Sequence, residues 1–388
     1  MYPNGLVRSK VAAGDAHIAV FVRNLRGGGL ERVSLNLANE LSRRGMQVDM
    51  VLAEADGVFL ELLDPKIRVV DLNAPSLKGY TFGLSRYLRR EKPKALLAQG
   101  EEAGVASIVA RWLSRVPTRV VVSCHSTISQ YVPRSQYFKV RFLPALMRLT
   151  YPAADHVVAV SSGVADDLAE RVSLSRSQIH VIPNPSIPSD FLTLAPEKPA
   201  HRFFSSGLPV VVAVGSLVPA KDYPSLLEAF SMVLRHRDMR LIILGEGAER
   251  ERLEGLISHL GIQDVVDLPG FVDPPWPFMA ASSVFVLSSA WEGLPTVLVE
   301  ALALGCRIVS TDCRNGPSEI LEGGRHGELV PVGAPSEMAA AIVRALDRPL
   351  DGAAQKIRAR DFMPAPCLNA YLPLLLPIKA AEPFMDLT

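Results

Sequence analysis

Residues 282–311 read SSVFVLSSAWEGLPTVLVEALALGCRIVST. A β-branched apolar run leads into a Trp-Glu-Gly-Leu-Pro turn, then a helix-forming segment, then a second β-branched run. Pro295 suits the first position of a helix and Gly305 its stop. A strand, a helix and a strand in this order make a βαβ unit, which demands a parallel sheet covered on both faces. Two carboxylates interrupt the apolar text. Glu292 precedes the helix, beside its positive dipole end. Glu300 lies about 1.5 turns inside, flanked by Val297, Leu298, Val299, Ala301 and Leu302, where a buried charge needs a partner or a ligand. On one reading Glu292 complements the dipole and Glu300 is a surface residue. On the other, Glu300 accepts two hydroxyls at once, as from a ribose.

The same alternation extends outward. Strands are expected at 17–22, 47–53, 67–72, 94–99, 119–124, 156–161 and 179–183, and again at 210–216, 240–245, 265–270, 282–289 and 306–311. Between them lie patterns such as LERVSLNLANELSRRG (30–45), with apolar residues at 33, 37 and 41 and a glycine stop. The run 182–209 is crowded with Pro and Ser and reads as a linker. The expected architecture is therefore α/β, with two lobes of comparable size and a cleft between them. Residues 17–190 form the first lobe, 191–364 the second, and about 365–388, helical with Pro interruptions, return to the first.

The 388 residues are 48% hydrophobic and 21% charged, a globular composition able to bury large cores. Net charge is +1, which gives no argument for nucleic-acid binding. Residues 1–190 carry a net +7 and the remainder −6, so the first half is the one suited to an anionic partner or membrane surface, unless the asymmetry is ordinary surface charge. Cys124, Cys306, Cys313 and Cys367 form no close pair and read as reduced core residues, which suits the cytoplasm. The beginning has no apolar signal-peptide region, and no run of about 18 apolar residues marks a spanning helix.

Each strand-to-helix junction of such a sheet offers backbone N–H groups to anions. The loop holding Gly27, Gly28 and Gly29 is one, although it lacks dinucleotide-fold spacing and a flexible loop explains it equally. Gly245 and Gly247 close another strand, where turn chemistry suffices. Lys221, beyond strand 210–216 and beside a helix start at Asp222, has the position of a phosphate-neutralising cation or of a solvated lysine. His125 directly follows strand 119–124 and is either a capping residue or a site residue. No D-x-D or H-E-x-x-H pattern occurs, so no metal and no cofactor is expected.

Taken together, EGLPTVLVE, GGGLERVSLNLANEL, SCHS, DHVVAVSSGVADDL, VIPNP, GSLVPAKDYPSLLEAF, LIILGEGAERERLE, LPGFV and CRNGPSEIL resemble the retaining GT-B glycosyltransferases of family 4, over roughly residues 17 to 375. The resemblance implies two Rossmann-like lobes facing across the cleft, with a nucleotide-sugar donor, most commonly a UDP-sugar, bound by the second lobe. It implies Glu292, His125 and Lys221 as the catalytic set: Glu292 and His125 at the donor sugar, Lys221 stabilising the departing diphosphate. It places Gly293, Leu294, Pro295, Thr296 and Val297 along sugar and diphosphate, Glu300 on the ribose, and Gly245, Phe271 and Val272 around the nucleotide. Gly28 and Gly29 would let the first lobe close over phosphates or acceptor. One departure stands out. Where the family writes an Arg, this chain has Ser216, and Arg314 or Arg26 would have to substitute. The implied activity is hexosyl or N-acetylhexosaminyl transfer with retention to a saccharide or lipid-linked acceptor, in polysaccharide or lipopolysaccharide synthesis. Ser216 motivates an alternative, a catalytically weak nucleotide-sugar-binding subunit; a small soluble acceptor or an epimerase activity is a further one.

The stretch 131–152 interleaves Arg134, Lys139, Arg141 and Arg148 with Tyr137, Phe138, Phe142, Leu143 and Met147. As an amphipathic helix it would dock a cytoplasmic enzyme peripherally on the inner face of the cell membrane. A core-packing helix with solvated basic edges explains it too. No nucleic-acid partner is expected.

Overall fold

A computed structural model describes residues 16–134, 138–193, 196–349 and 351–376. Thirteen strands follow the alternation: β1 His17–Val22, β2 Gln47–Leu52, β3 Arg68–Asp71, β4 Ala95–Gln99, β5 Arg119–Cys124, β6 His156–Ala159, β7 Ile179–Val181, β8 Val210–Val214, β9 Arg240–Leu244, β10 Val266–Gly270, β11 Val284–Leu287, β12 Ile308–Thr311 and β13 Glu328–Val330. They form two sheets, ordered β3-β2-β1-β4-β5-β6-β7 and β10-β9-β8-β11-β12-β13. Strand β13 was not foreseen, because GELV offers only three residues of pattern after a glycine. Cα packing divides the chain into two compact units. The first is Met1–Val122, Ala153–His156 and Leu368–Thr388; the second is Ser123–Pro152 and Val157–Cys367.

In the second unit, both faces of the central strand are covered. Val210, Val211, Val212 and Ala213 are all at most 2% exposed, which is why β8 reads as a continuous apolar run. Val211 and Ala213 pack with Leu226, Leu227 and Phe230 of the helix Tyr223–Val233 and with Met338, Ala341 and Ile342 of the helix Pro335–Asp347. Each such fully buried side chain contributes about 1.5–3 kcal/mol. The helix Thr296–Leu304 is apolar nearly all round and correspondingly buried; Gly305 ends it in the left-handed region at φ 72°. Pro295 is its N-cap, with extended backbone, rather than its first helical residue.

Residues 182–209, read as a linker, carry buried apolar anchors among their described residues: Ile187, Phe191, Phe203 and Phe204. His201 Nε2 lies 2.8 Å from Asp267 Oδ2, its ring packs against Phe203, Phe204 and Phe278, and Arg202 covers Phe203. Pro and Ser interrupt regular structure there without removing the apolar anchors between them. Among the described residues 131–152 is not one helix: the helix Ile128–Arg134 contains Pro133, and a 3-10 turn Phe138–Phe142 leads into the helix Leu143–Thr150, which has Pro144 in its first turn. Tyr137 and the Lys139 side chain lie outside the described residues.

The part of the helix Pro364–Leu375 that belongs to the first unit is held there: Arg44 Nη1 donates to Asn369 Oδ1 at 2.7 Å and Arg119 Nη1 to the Leu374 carbonyl at 3.5 Å, while 377–388 lie outside the described residues. At the amino ends of β1–β3, the fully buried carboxylate of Asp49 meets His17 Nε2 at 2.8 Å, Arg68 Nε at 2.9 Å, Arg68 Nη2 at 2.5 Å and the Tyr87 hydroxyl at 2.6 Å. Burial pushes this carboxyl upward, but the hydrogen bonds from His17, Arg68 and Tyr87 outweigh it and hold Asp49 well below the usual carboxylate range. The four cysteines are buried and none is in a disulfide among the described residues, in keeping with the reading as reduced core residues. Among the described residues no helix is long and apolar enough to cross a membrane.

Candidate active site

The chain runs from β8 outward to β9 and β10, then starts again on the other side of β8 with β11, β12 and β13. The loops leaving the carboxyl ends of β8 and β11 therefore part in opposite directions. Open α/β sheets bind ligands at such a switch point. Lys221 ends the 3-10 turn Pro219–Lys221 after β8, and Glu292 lies in the loop after β11. Their side chains, 19% and 13% exposed, pair: Lys221 Nζ donates to Glu292 Oε1 at 2.5 Å. Ser289 Oγ donates to the same oxygen at 2.7 Å. Two further bonds tie the loops together, Ala290 N to the Ala220 carbonyl at 2.8 Å and Ser288 Oγ to the Lys221 carbonyl at 2.6 Å. Among the described residues no donor reaches Glu292 Oε2. The site thus holds a cation and a carboxylate that satisfy each other only partly.

The local backbone explains the placement of Lys221. Asp222 takes the left-handed conformation at φ 44° and caps the helix Tyr223–Val233, turning the chain sharply after the lysine. The Tyr223 hydroxyl donates to the Gly215 carbonyl at 3.0 Å. Its phenol is pushed far up, by burial first and by the Glu292 charge second, so it stays a neutral donor.

The Glu292 loop is clamped from the other side. Thr127 Oγ1 donates to the Glu292 carbonyl at 2.9 Å and accepts from Asn315 Nδ2 at 2.5 Å. Ser161 Oγ donates to the Gly293 carbonyl at 2.9 Å. Gly293 lies directly against the His125 carbonyl, and a Cβ at 293 would overlap that oxygen. Trp291 stacks under Arg134, whose guanidinium carbon is 4.4 Å from the ring centroid. His125 is half-buried, and desolvation pushes its imidazole down to about 3, so it is neutral at physiological pH. Sequence reading missed Thr127, Ser161, Ser289 and Asn315. None belongs to a periodic pattern, and their roles exist only once β5, β6, β11 and β12 place their following loops together.

The remaining expected residues fall into distinct positions. Glu300 is 3% exposed within its helix, between buried Val299 and Ala301. Leu294 and Pro295 are buried, Thr296 and Val297 half-buried. Ser216 is exposed at the end of the turn after β8. Gly245, at φ 148°, sits so close to Gly215 that a Cβ would overlap its carbonyl, and Gly247 stands likewise against the Leu217 carbonyl. These glycines thus permit close packing of the β8 and β9 loops, more than turn chemistry requires. Phe271 is 61% exposed after β10, with Val272 half-buried beside it. In the first unit Gly27 and Gly28 have φ of 121° and 156° and precede the helix Gly29–Arg43. Glu31 folds back onto that helix start, close enough for its carboxylate to contact a Cβ at 28. Burial raises the Glu31 carboxyl. Arg26, a candidate to replace the missing arginine, is held by Asp56 at 2.6 Å. Arg314 is exposed in the second unit.

Known proteins share this organisation. A family profile described as Glycosyltransferase Family 4 matches residues 27–186, and one described as Glycosyl transferases group 1 matches residues 196–361. The lipopolysaccharide core biosynthesis glycosyltransferase LpsE of Rhizobium meliloti is 30% identical over 82% of this chain and 85% of its own length. The N-acetylgalactosamine-N,N'-diacetylbacillosaminyl-diphospho-undecaprenol 4-alpha-N-acetylgalactosaminyltransferase of Campylobacter jejuni is 26% identical over 81% of this chain and 86% of its own length. Among solved structures, the lipopolysaccharide outer core galactosyltransferase WaaB in its apo form superposes with a TM-score of 0.70 at 19% identity, covering 92% of this chain and 99% of WaaB. Anabaena HepE in complex with UDP-glucose gives 0.68 at 20% identity, covering 92% and 97%. With two profiles that together cover most of both sheets and a relative of such identity over most of its length, the chain belongs to the family 4 glycosyltransferases and has their GT-B fold of two Rossmann-like parallel sheets.

Proposed function

We propose that this glycosyltransferase transfers a hexosyl or N-acetylhexosaminyl group from a UDP-sugar, with retention of configuration, to a lipid-linked saccharide or lipopolysaccharide acceptor. The observation that carries the reading is the Lys221–Glu292 pair at the switch point of the second sheet. A diphosphate arriving there replaces Glu292 on Lys221, and the freed carboxylate turns to the donor sugar. Lys221 then faces the oxygen on which negative charge grows as the bond from anomeric carbon to diphosphate breaks. The acceptor hydroxyl oxygen forms the new bond to that carbon, and its proton leaves with the diphosphate. Neutral His125 offers a hydrogen bond to the sugar without adding charge, and Glu300 is the acceptor proposed for the ribose hydroxyls. Ser216 supplies a hydroxyl where the family resemblance expects a charged fork, so most of the electrostatic stabilisation rests on Lys221. Support for the donor class comes from the HepE complex with UDP-glucose, and for the acceptor class from the diphospho-undecaprenol and the lipopolysaccharide core biosynthesis in the relatives' names.

The helix Leu143–Thr150 supports peripheral membrane contact. Leu143, Met147 and Thr150 face inward, whereas Phe142, Leu146 and Leu149 are 56%, 37% and 73% exposed, next to exposed Arg141 and Arg148. Exposed apolar side chains with arginines beside them match an anionic lipid surface. The decisive assay incubates the enzyme with a panel of UDP-sugars and an undecaprenyl-diphosphate-linked saccharide, following UDP release and product anomeric configuration by NMR. An inverted product, or tight UDP-sugar binding without turnover on any acceptor, overturns the reading. Cosedimentation with vesicles tests the membrane surface, and pelleting indifferent to anionic lipid removes it.

A further inference from the structure

The helix Ser162–Val172 begins where two loops of the second sheet meet it. One is the Glu292 loop after β11, whose Gly293 carbonyl accepts from Ser161 Oγ at 2.9 Å. The other follows β12 and leads into the short helix Pro317–Ile320. Glu319 of that short helix turns its half-buried carboxylate to the start of the longer one. Its Oε2 accepts from Ser162 N at 3.1 Å and its Oε1 from Gly163 N at 3.4 Å. The first N–H groups of a helix have no partners within it, and the dipole favours a negative charge there. Ser161 is the N-cap of the same helix. Its Oγ, in a fully buried residue, accepts from Val164 N at 3.3 Å while it donates to Gly293.

Glu319 is itself firmly held. Arg358 donates through Nη2 to the Glu319 carbonyl at 2.7 Å and through Nε to the Ile320 carbonyl at 3.2 Å. From the same loop Asn315, a buried residue, packs so closely on Gly163 that a Cβ there would overlap its Oδ1. The β12 loop therefore grips the helix start through Glu319 and Asn315, and the helix start grips the β11 loop through Ser161. Capping alone does not call for such a carboxylate. Ser162 is exposed, so water could serve its N–H equally well. What a fixed carboxylate adds is position.

We infer that Glu319 is a positioning residue for sugar transfer. By fixing the start of the helix Ser162–Val172 it sets the direction of Ser161 Oγ, and through that hydroxyl the Gly293 peptide beside Glu292. This role rests on the reading of the Glu292 loop as the donor site. Glu319 itself acts on the loop through Ser161. Without the carboxylate the two N–H groups turn to water, the helix start gains freedom, and the Gly293 carbonyl loses a fixed donor. A misplacement of about 1 Å at a reacting group can cost about 10²-fold in rate.

Two measurements on the full chain separate this role from a purely structural cap. Hydrogen exchange read by mass spectrometry compares wild type with Glu319→Ala and Glu319→Gln, and needs no substrate. Exchange should quicken in the peptide holding Gly293 as well as in the one holding Ser162 and Gly163. Quickening at the helix start alone would overturn the role, whatever the donor proves to be. Transfer kinetics test the consequence. Glu319→Ala should lower kcat about tenfold with the donor KM little changed, and Glu319→Gln, which keeps one uncharged acceptor oxygen, should fall between. Ser161→Ala should lower kcat as well, and the double variant should be no worse than the poorer single one, because both changes act on one path. Losses that multiply would mean that Glu319 does not work through Ser161. Thermal melting shows which variants fold, and if Glu319→Ala does not, the Gln variant carries both measurements. Faster exchange at Gly293 with kcat unchanged would remove the loop from the donor site, and so overturn that reading together with this role.

Discussion

Two carboxylate–cation clusters sit in the two units, and they are finished differently. Asp49, at the amino ends of β1–β3, is fully buried and both of its oxygens are taken, by His17, Arg68 and Tyr87. Glu292, at the carboxyl end of β11, spends one oxygen on Lys221 and Ser289 and keeps the other open. The same pair of chemical groups thus serves stability where every valence is closed and chemistry where one remains available. Strand direction decides which is which, because loops at the carboxyl ends of parallel strands can diverge around a substrate.

Removing each cation or carboxylate should separate the two roles. Lys221→Ala should cut sugar transfer by about 10²–10³-fold, the scale of a lost transition-state charge stabiliser, while thermal melting barely moves. A variant that kept its turnover would erase the distinction. Asp49→Asn should do the reverse, costing about 3 kcal/mol of unfolding free energy because Arg68 loses its buried partner, with transfer rates intact below the new melting point. The pH dependence follows from the depressed Asp49 carboxyl. Its contribution is fully present above the unfolded carboxylate pKa, near 3.9, and disappears as pH falls toward the lower folded value. Denaturant titrations of wild type against Asp49→Asn should therefore converge on acidification, and parallel curves would contradict the assignment.

Smaller changes sharpen the picture at the Glu292 loop. Thr127→Val removes the hydroxyl that links the Glu292 carbonyl to Asn315 and leaves two buried polar groups unpaired, which should cost about 1–3 kcal/mol and lower kcat more than it raises KM. A KM effect alone would mean that Thr127 touches donor and does not position the loop. The mildest expectation concerns Ser216→Arg, which should preserve or raise donor turnover by a few-fold at most, measured as kcat/KM. A large loss there would give Ser216 a role of its own.

Much of this was legible beforehand for physical reasons. Continuous apolar runs mark strands buried on both faces, and Asp222 and Gly305 stand where helices begin and end. Glu300 is as buried as its apolar neighbours imply. The pairing of Lys221 with Glu292 was not legible, because it joins residues 71 apart and needs β8 and β11 as neighbours. The buried anchors of the segment 182–209 were not legible either: prolines and serines there are conspicuous, whereas Ile187, Phe191, Phe203 and Phe204 are too widely spaced to form a pattern. Likewise the apolar and basic residues of 131–152 have helical spacing on paper, but the 3-10 turn Phe138–Phe142 interrupts the rod that spacing assumes.

The close approach of Gly245 and Gly247 to the carbonyls of Gly215 and Leu217 has an evolutionary consequence. Where a glycine faces a flexible side chain, a neighbour can shrink to admit a larger residue. Here the obstacle is peptide oxygen, which no substitution elsewhere can trim. Both positions should therefore behave in a saturation library as sites with one permitted letter, insensitive to genetic background, even though Glu246 between them is exposed and pairs with Arg250 at the surface.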